Sequence, residues 1–339
     1  MNIDDLNKVL QEYPPYRIGQ AHRAVFGSLI ESWDEATSLP GDIQEILKKK
    51  CPLEIRAQLE QSKDTKTVKA LISTGDGDRI ESVLMRHKGG RNTICVSSQV
   101  GCALACDFCA TGKMGLRRNL SAMEIIEQVV FFSRFLKRRG ERVSNVVFMG
   151  MGEPLLNYDE VMKAVRVMND KNKLRIGARH ISISTVGIVE SIKKLTRESL
   201  QLNLAVSLNA SSDSLRDRLM PVNKKYPIRT VLDSVAGYIR ETNRRVMIEY
   251  VMLENVNDSK WDALRLAHIL KNSLEKLFFV NLISFNPTAG YRPSDPKRVS
   301  QFKGVLEGEG ITVTRRYRFG REIRGACGQL AGCSLRGDL

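Results

Sequence analysis

No run of apolar residues in the 339-residue chain is long enough to span a bilayer, which excludes a membrane-crossing helix. The start is not a basic stretch followed by an apolar one, so no secretory signal is expected and the cytoplasm is the expected location. Low-complexity segments are missing, as is any long linker that would separate independent domains. Acidic residues are in deficit: 38 Asp and Glu against 53 Lys and Arg leave a net charge of +15. That excess favours a polyanionic partner, nucleic acid above all. A disulfide framework is not written here either. The seven cysteines are unevenly spaced, which suits a reducing compartment with metal-binding or catalytic thiols.

What is present centres on Cys102-Ala103-Leu104-Ala105-Cys106-Asp107-Phe108-Cys109. A short loop with this spacing can turn three thiolates toward one point and leave a fourth position open. A structural zinc site closes itself with four protein ligands, and Cys95 is the available fourth. An iron–sulfur cluster that does chemistry keeps one iron open instead. Spacing alone leaves both readings standing.

Residues 1–60 read as helical, with apolar residues interleaved with charge in Ile3–Val9, Ala21–Trp33 and Ile43–Leu47. They form either a small RNA-touching module or an ordinary amphipathic bundle. Residues 61–94 change to alternation, Val68, Ala70, Ile72 and then Ile80, Val83, Met85, joined by glycine turns. Glu81 on that stretch reads as solvent-facing. From residue 95 to 318 strands and helices alternate. Ser121 and Glu124 make a capping box, and Gly140 stops that helix. Strands are expected at Val143–Met149, His180–Thr185, Leu202–Leu208, Arg245–Leu253, Phe278–Phe285 and Ile311–Tyr317, each but the last followed by a helix. With the strand before the cysteines this makes six strand–helix units, hence a parallel sheet with helices outside. Six units are too few for the eight-fold closed barrel. A glycine-rich tail, 319–339, carries Cys327; Cys51 and Cys333 have no such company and read as inert.

In such folds chemistry collects where strands end. One strand exits into Gly150-Met151-Gly152-Glu153-Pro154, where glycines permit close backbone approach and Glu153 can accept from an ammonium group. Others exit at Ser184, at Ser207-Leu208-Asn209 and at Asn286. Singly each is a cap or a turn; as a ring around one centre they suit a shared ligand.

The cysteine spacing, with the Gly-Met-Gly-Glu turn, resembles the radical S-adenosylmethionine (SAM) enzymes. Over nearly its whole length the chain resembles the radical SAM RNA methyltransferases of the bacterial rRNA/tRNA adenine-C2 type. The matching runs are Cys95-Val96-Ser97-Ser98-Gln99-Val100-Gly101-Cys102, Phe148-Met149-Gly150-Met151-Gly152-Glu153-Pro154, Met220-Pro221-Val222-Asn223 and Ala326-Cys327-Gly328-Gln329-Leu330. The resemblance implies an α/β fold, a partial (βα)6 barrel with a small N-terminal helical domain and a β extension. It implies a [4Fe–4S] cluster on Cys102, Cys106 and Cys109. SAM would be held by Gly152, Glu153, Ser184, Ser207, Leu208, Asn209 and Asn286. Asn209 stands where many relatives are expected to carry His.

The same resemblance implies 23S rRNA and some tRNAs as substrates, an electron donor such as flavodoxin, no membrane association and a monomer. Two SAM molecules serve each turnover. One methylates Cys327; the other is cleaved to a radical that takes a hydrogen from the new S-methyl group. The carbon radical adds to adenine C2, Glu81 removes the C2 proton, and Cys95 attacks the Cys327 sulfur, leaving a disulfide. A sister group that methylates C8 shares most of these motifs, and a zinc-bearing rRNA assembly factor without catalysis is the reading from another class.

Overall fold

In this computed structural model the described residues are 1, 5–288, 290–316 and 319–331. Ile3, Tyr317 and Cys333 lie outside them. Three short helices open the chain: α1 (Leu6–Val9), α2 (Tyr16–His22) and α3 (Gly41–Lys50). The helix expected over Ala21–Trp33 starts earlier, at Tyr16, and its last wide turn ends at Gly27. Leu29, with φ of 56°, then turns the chain out of any helix. These elements pack on the first helix of the main body. Arg134 of that helix donates to the carbonyls of Leu53 and Ile30, the amino group of Met1 pairs with Glu127 at 2.7 Å, and the Trp33 indole donates to Cys51 O.

Strands β1 (Ala57–Gln61), β2 (Thr67–Ser73) and β3 (Arg79–Arg86) form an antiparallel meander, and β3 pairs antiparallel with β4 (Asn92–Cys95). The alternation in β2 suggested one exposed face, yet six of its seven residues are buried. The chain's own tail covers the second face: a side-chain methyl of Thr67 lies against Gly320 and Cβ of Lys69 against Gly325. After β4 comes a two-stranded hairpin absent from the sequence reading, β5 (Gln99–Cys102) and β6 (Gly115–Asn119), which frames the cysteine loop and the single turn α4 (Ala110–Lys113).

Then the alternation begins: α5 (Ala122–Lys137), β7 (Asn145–Phe148), α6 (Tyr158–Asn169), β8 (Ile181–Thr185), α7 (Val189–Thr196), β9 (Asn203–Ser207), α8 (Asp213–Leu219) and α9 (Ile228–Thr242). It ends with β10 (Val246–Met252), α10 (Lys260–Ser273), β11 (Phe278–Ser284), α11 (Pro296–Gly308) and β12 (Val313–Arg315). The capping box at Ser121 and Glu124 is present, with hydroxyl and carboxylate each accepting the other's backbone N–H. A cap of this kind stabilises its helix by about 1 kcal/mol. The parallel strands run β4-β7-β8-β9-β10-β11-β12, continuous with the meander in one ten-stranded sheet. Among the described residues its edges, β1 and β12, do not pair, so the sheet stays open. The six expected strand–helix units are all there. Crossovers between parallel strands are right-handed almost without exception and carry their helices back along the sheet; α5 packs on α6, α7 on α9 and α10 on α11. No helix among the described residues is long and apolar enough to cross a membrane.

Candidate active site at the carboxyl ends of the strands

Cys95 is the last residue of β4, and the chain then bends sharply into the hairpin. Gly101 makes that bend possible: its φ is 77°, and a Cβ there would lie 1.9 Å from Gly115 O. No other residue fits, so the glycine before Cys102 is a steric requirement of the hairpin. Gly112 is equally confined, its missing Cβ 2.9 Å from Cys106 N. The loop is anchored at Asp107, whose N–H donates to Leu219 O, and closed by Cys109 N–H to Cys106 O.

The three loop cysteines lie close enough for their charges to interact. Burial, then Cys109 and Cys102, pushes the Cys106 thiol well above its ordinary range, and burial pushes Cys102 up to about 11. Crowded, buried thiols of this kind become thiolates when a metal centre supplies the positive charge. Among the described residues no three His, Cys, Asp or Glu side chains gather tightly enough to hold one metal ion. The expectation that the loop aims all three sulfurs at one point is therefore not met at single-ion distance. A [4Fe–4S] cluster asks for less convergence, since each thiolate takes its own iron. The all-thiolate donor set suits it.

The glycine turn after β7 has a packing cause. A Cβ on Gly150 would lie 2.7 Å from Val96 O, and one on Gly152 would lie 2.5 Å from Gln99 Cβ. The glycines let this turn seat directly on the strand that leads to the cysteines; Glu153 N–H donates to the Gln99 side chain across that contact. The Glu153 carboxylate, buried, accepts from Leu155 N and Val186 N. Burial pushes its pKa up to about 7.

Two adjoining cavities open over the strand ends. The larger, about 760 Å³, is lined by Gly152, Glu153, Ser184, Ser207, Asn209 and Glu249, with Phe108 of the cysteine loop. Five of the seven expected SAM contacts thus share one wall. Leu208 does not: it is fully buried behind the wall, its carbonyl bound by Arg216. Asn286 faces the second cavity instead. Asn209 lines the larger cavity but its side chain is structurally engaged, accepting from Val251 N and donating to Met220 Sδ. With φ of 59° it occupies a conformation that asparagine tolerates better than most residues. Ser184 and Ser207 both direct their hydroxyls at Glu249.

The second cavity, about 500 Å³, is lined by Cys95, Cys327, Val83, Met85, Asn286 and Phe319. Arg316, Met149, Ser284 and Cys327 border both cavities. Burial pushes Cys95 up to about 12, with Cys327 adding to the effect. Burial also raises Cys327, and Arg316 opposes it. All six described cysteines are free, so the expected Cys95–Cys327 disulfide is not present in this state. Ser284 Oγ and Asn286 Oδ1 are buried without a hydrogen-bond partner. Such orphans can be satisfied by ordered water or by a bound ligand.

Glu81 is not solvent-facing: it is 2 % exposed. Lys69 and the backbone N–H of Ala331 hold its two carboxylate oxygens. The tail is tied down from Gly328 to Ala331. Ala110 N–H donates to Gly328 O, Thr111 Oγ1 donates to Leu330 O, and Asn286 reaches Cys327 O at 3.4 Å.

Sequence reasoning missed three charged residues. Glu249 had a signal, a lone carboxylate inside the apolar strand Val246–Met252. Arg316 follows β12 among other arginines, and Arg216 sits on a helix that alternates charge; neither stands out.

Comparison with known proteins follows the geometry. The radical SAM superfamily pattern matches residues 96–267. A protein of Dictyoglomus thermophilum named "Probable dual-specificity RNA methyltransferase RlmN" is 42% identical over 339 residues, covering 99% of this chain and 96% of its own. "Ribosomal RNA large subunit methyltransferase N" of Nitrosopumilus maritimus is 45% identical over 277 residues, 79% of this chain and 78% of its own. The crystal structure of a radical SAM methyltransferase from Sphaerobacter thermophilus superposes with a TM-score of 0.92 at 40% identity, covering 98% of each chain.

Proposed function

The chain belongs to the RlmN family of radical SAM RNA methyltransferases, and on that premise we propose that it methylates C2 of one adenine in the peptidyl-transferase region of 23S rRNA. The adenine just 3′ of the anticodon in some tRNAs is the second substrate. A non-catalytic zinc protein is set aside by membership in an enzyme family.

Cys102, Cys106 and Cys109 would hold a [4Fe–4S] cluster, which when bound supplies the electron that splits SAM to a 5′-deoxyadenosyl radical. Carbon 2 of adenine has no nucleophilic lone pair, so a methyl cannot be accepted there by displacement. Cys327 accepts it first from one SAM, and a second SAM serves to remove a hydrogen from that methyl. Cys327 then presents the carbon to C2. Glu81 takes the C2 proton, after the tail has lifted Ala331 from its carboxylate. Cys95 attacks the Cys327 sulfur: an S–S bond forms, the S–CH2 bond breaks with its electron pair left on the base, and that carbon takes up a proton as the methyl group, while the odd electron left by the radical addition would return to the cluster. Glu153 and the cavity wall at Ser184 and Ser207 hold SAM. A flavodoxin-type donor supplies electrons, and the chain works as a cytoplasmic monomer.

The observation that carries this reading is the shared wall. Cys327 borders both the cavity with Glu153 and the cavity with Cys95. One sulfur between a cofactor space and a second thiol is what a methyl carrier requires. Incubation of rRNA and tRNA with the enzyme, SAM and a reductant, followed by nucleoside analysis, tests it. The expected product is 2-methyladenosine; 8-methyladenosine would assign the chain to the sister chemistry.

A further inference from the structure

Arg216 on α8 is 0 % exposed. Its guanidinium donates to Leu208 O at 3.2 Å, Asn223 Oδ1 at 2.8 Å, Tyr226 O at 2.8 Å and Val186 O at 2.6 Å. Every one of these acceptors is neutral. Among the described residues no carboxylate lies within ion-pair distance. Asp213 and Asp217, on the same helix, are engaged elsewhere, by Ile228 N and Asn223 Nδ2. A buried charge without a counterion costs several kcal/mol, and proteins rarely tolerate it. Four of the five N–H groups are hydrogen-bonded, all to neutral acceptors, and the charges of Asp213 and Asp217 act on the guanidinium only from a distance.

The surroundings point to the missing anion. Three residues beyond Arg216, Leu219 O accepts from Asp107 N–H, next to Cys106. Leu219 and Met220 form an apolar cluster against which Cys106 and Phe108 pack. The guanidinium also pins Val186 O, and Val186 N–H binds Glu153. The Met220-Pro221-Val222-Asn223 run, otherwise without a role, supplies the Asn223 acceptor and the packing. A cation is thereby fixed on the helix that anchors the cysteine loop, and besides Asp213 and Asp217 of its own helix the charge it interacts with is that of Cys106.

We infer that Arg216 is a positioning residue whose buried charge, bonded by no carboxylate, is the electrostatic complement of the cluster held by Cys106, making one-electron reduction of that cluster easier. The inference rests on the cluster assignment above. Reduction adds one negative charge, donated by the external reductant, and a fixed cation stabilises the reduced form more than the oxidised one. Removing the cation must therefore lower the midpoint potential.

The test is a redox titration with dithionite of the cluster-loaded protein, read by electron paramagnetic resonance. Arg216→Met should shift the reduced-to-oxidised ratio at fixed potential about tenfold toward oxidised, a fall of about 59 mV for one electron. Arg216→Lys, which keeps the charge, should stay near the parent protein. A loss of structural bracing alone would move the melting temperature and leave the potential in place; an unchanged potential in Arg216→Met overturns the inference. If that variant does not fold, Asn223→Asp decides. It puts a carboxylate on the guanidinium without touching the arginine, and it must lower the potential too; an unchanged or raised value overturns the inference. Absence of iron and sulfide from the anaerobically prepared parent protein would instead refute the cluster assignment, a separate result.

Discussion

Lys69 Nζ lies 3.1 Å from Glu81 Oε1, and both side chains are almost wholly buried. Lys69 also reaches Glu60 at 3.5 Å, so one ammonium serves two carboxylates across β1, β2 and β3. Breaking a buried pair by removing one partner costs about 3–5 kcal/mol, because the other charge is stranded. Lys69→Met should therefore lower the melting temperature sharply. Combining it with Glu81→Gln should restore part of the loss. A double mutant no more stable than Lys69→Met would show that the two groups are energetically independent.

The two thiols of the smaller cavity differ in kind. Cys327→Ala should bind SAM and RNA and transfer nothing. Cys95→Ala should still join adenine to Cys327 but lack the group that releases it. A covalent protein–RNA adduct should accumulate, visible as a band shift that nuclease treatment reverses. Normal turnover by Cys95→Ala would reduce Cys95 to a packing residue.

On the proposed assignment each of the three loop cysteines holds the cluster. Cys106→Ala should purify anaerobically without the brown colour of iron–sulfur protein, and iron and sulfide assays should show most of both lost. Retention of both would mean that the cluster is held elsewhere.

Glu153 gives a signed pH dependence. Burial raises its pKa from 4.5 to about 7. A carboxyl whose folded value lies above its unfolded one stabilises the fold at low pH, and that stability is lost as pH climbs from about 4.5 to about 7. The loss is on the order of 3 kcal/mol. Glu153→Gln cannot ionise, so its melting temperature should lack this fall, even though Gln accepts less well from Leu155 and Val186. In the parent protein SAM affinity should rise through pH 7, as the carboxylate forms to meet the ammonium group. Calorimetric titrations of both proteins at pH 6 and 8 check this, and parallel profiles would remove Glu153 from SAM binding.

The succession of strands and helices could be read from sequence because each parallel strand is a short apolar run followed by a helix of the expected period. The cysteine loop and the glycine turn were legible because few residue types do their work. What could not be read was burial that depends on distant chain. Glu81 looks like an exposed residue on an alternating strand, and only the returning tail covers it. Leu208 looks like part of a binding loop, yet the backbone turns its side chain away. Arg216 sits among the charges of Asp213–Leu219 and resembles a solvent-facing helix residue such as Arg218. Its burial comes from segments on both sides of α8, and no local pattern encodes that.

The tail contacts also set when the site exists during synthesis. Thr111 waits for a partner 219 positions later, and Glu81 for one 250 positions later. Chains emerge from the N-terminus forward, and contacts this distant form late. A nascent chain can pair its strands and shape its cysteine loop while the thiol cavity stays open to water. Only when residues 328–331 have been made can the cavity close over Cys95. Unfinished or truncated chains are thus kept from the chemistry by the order of manufacture, without any separate inhibitor.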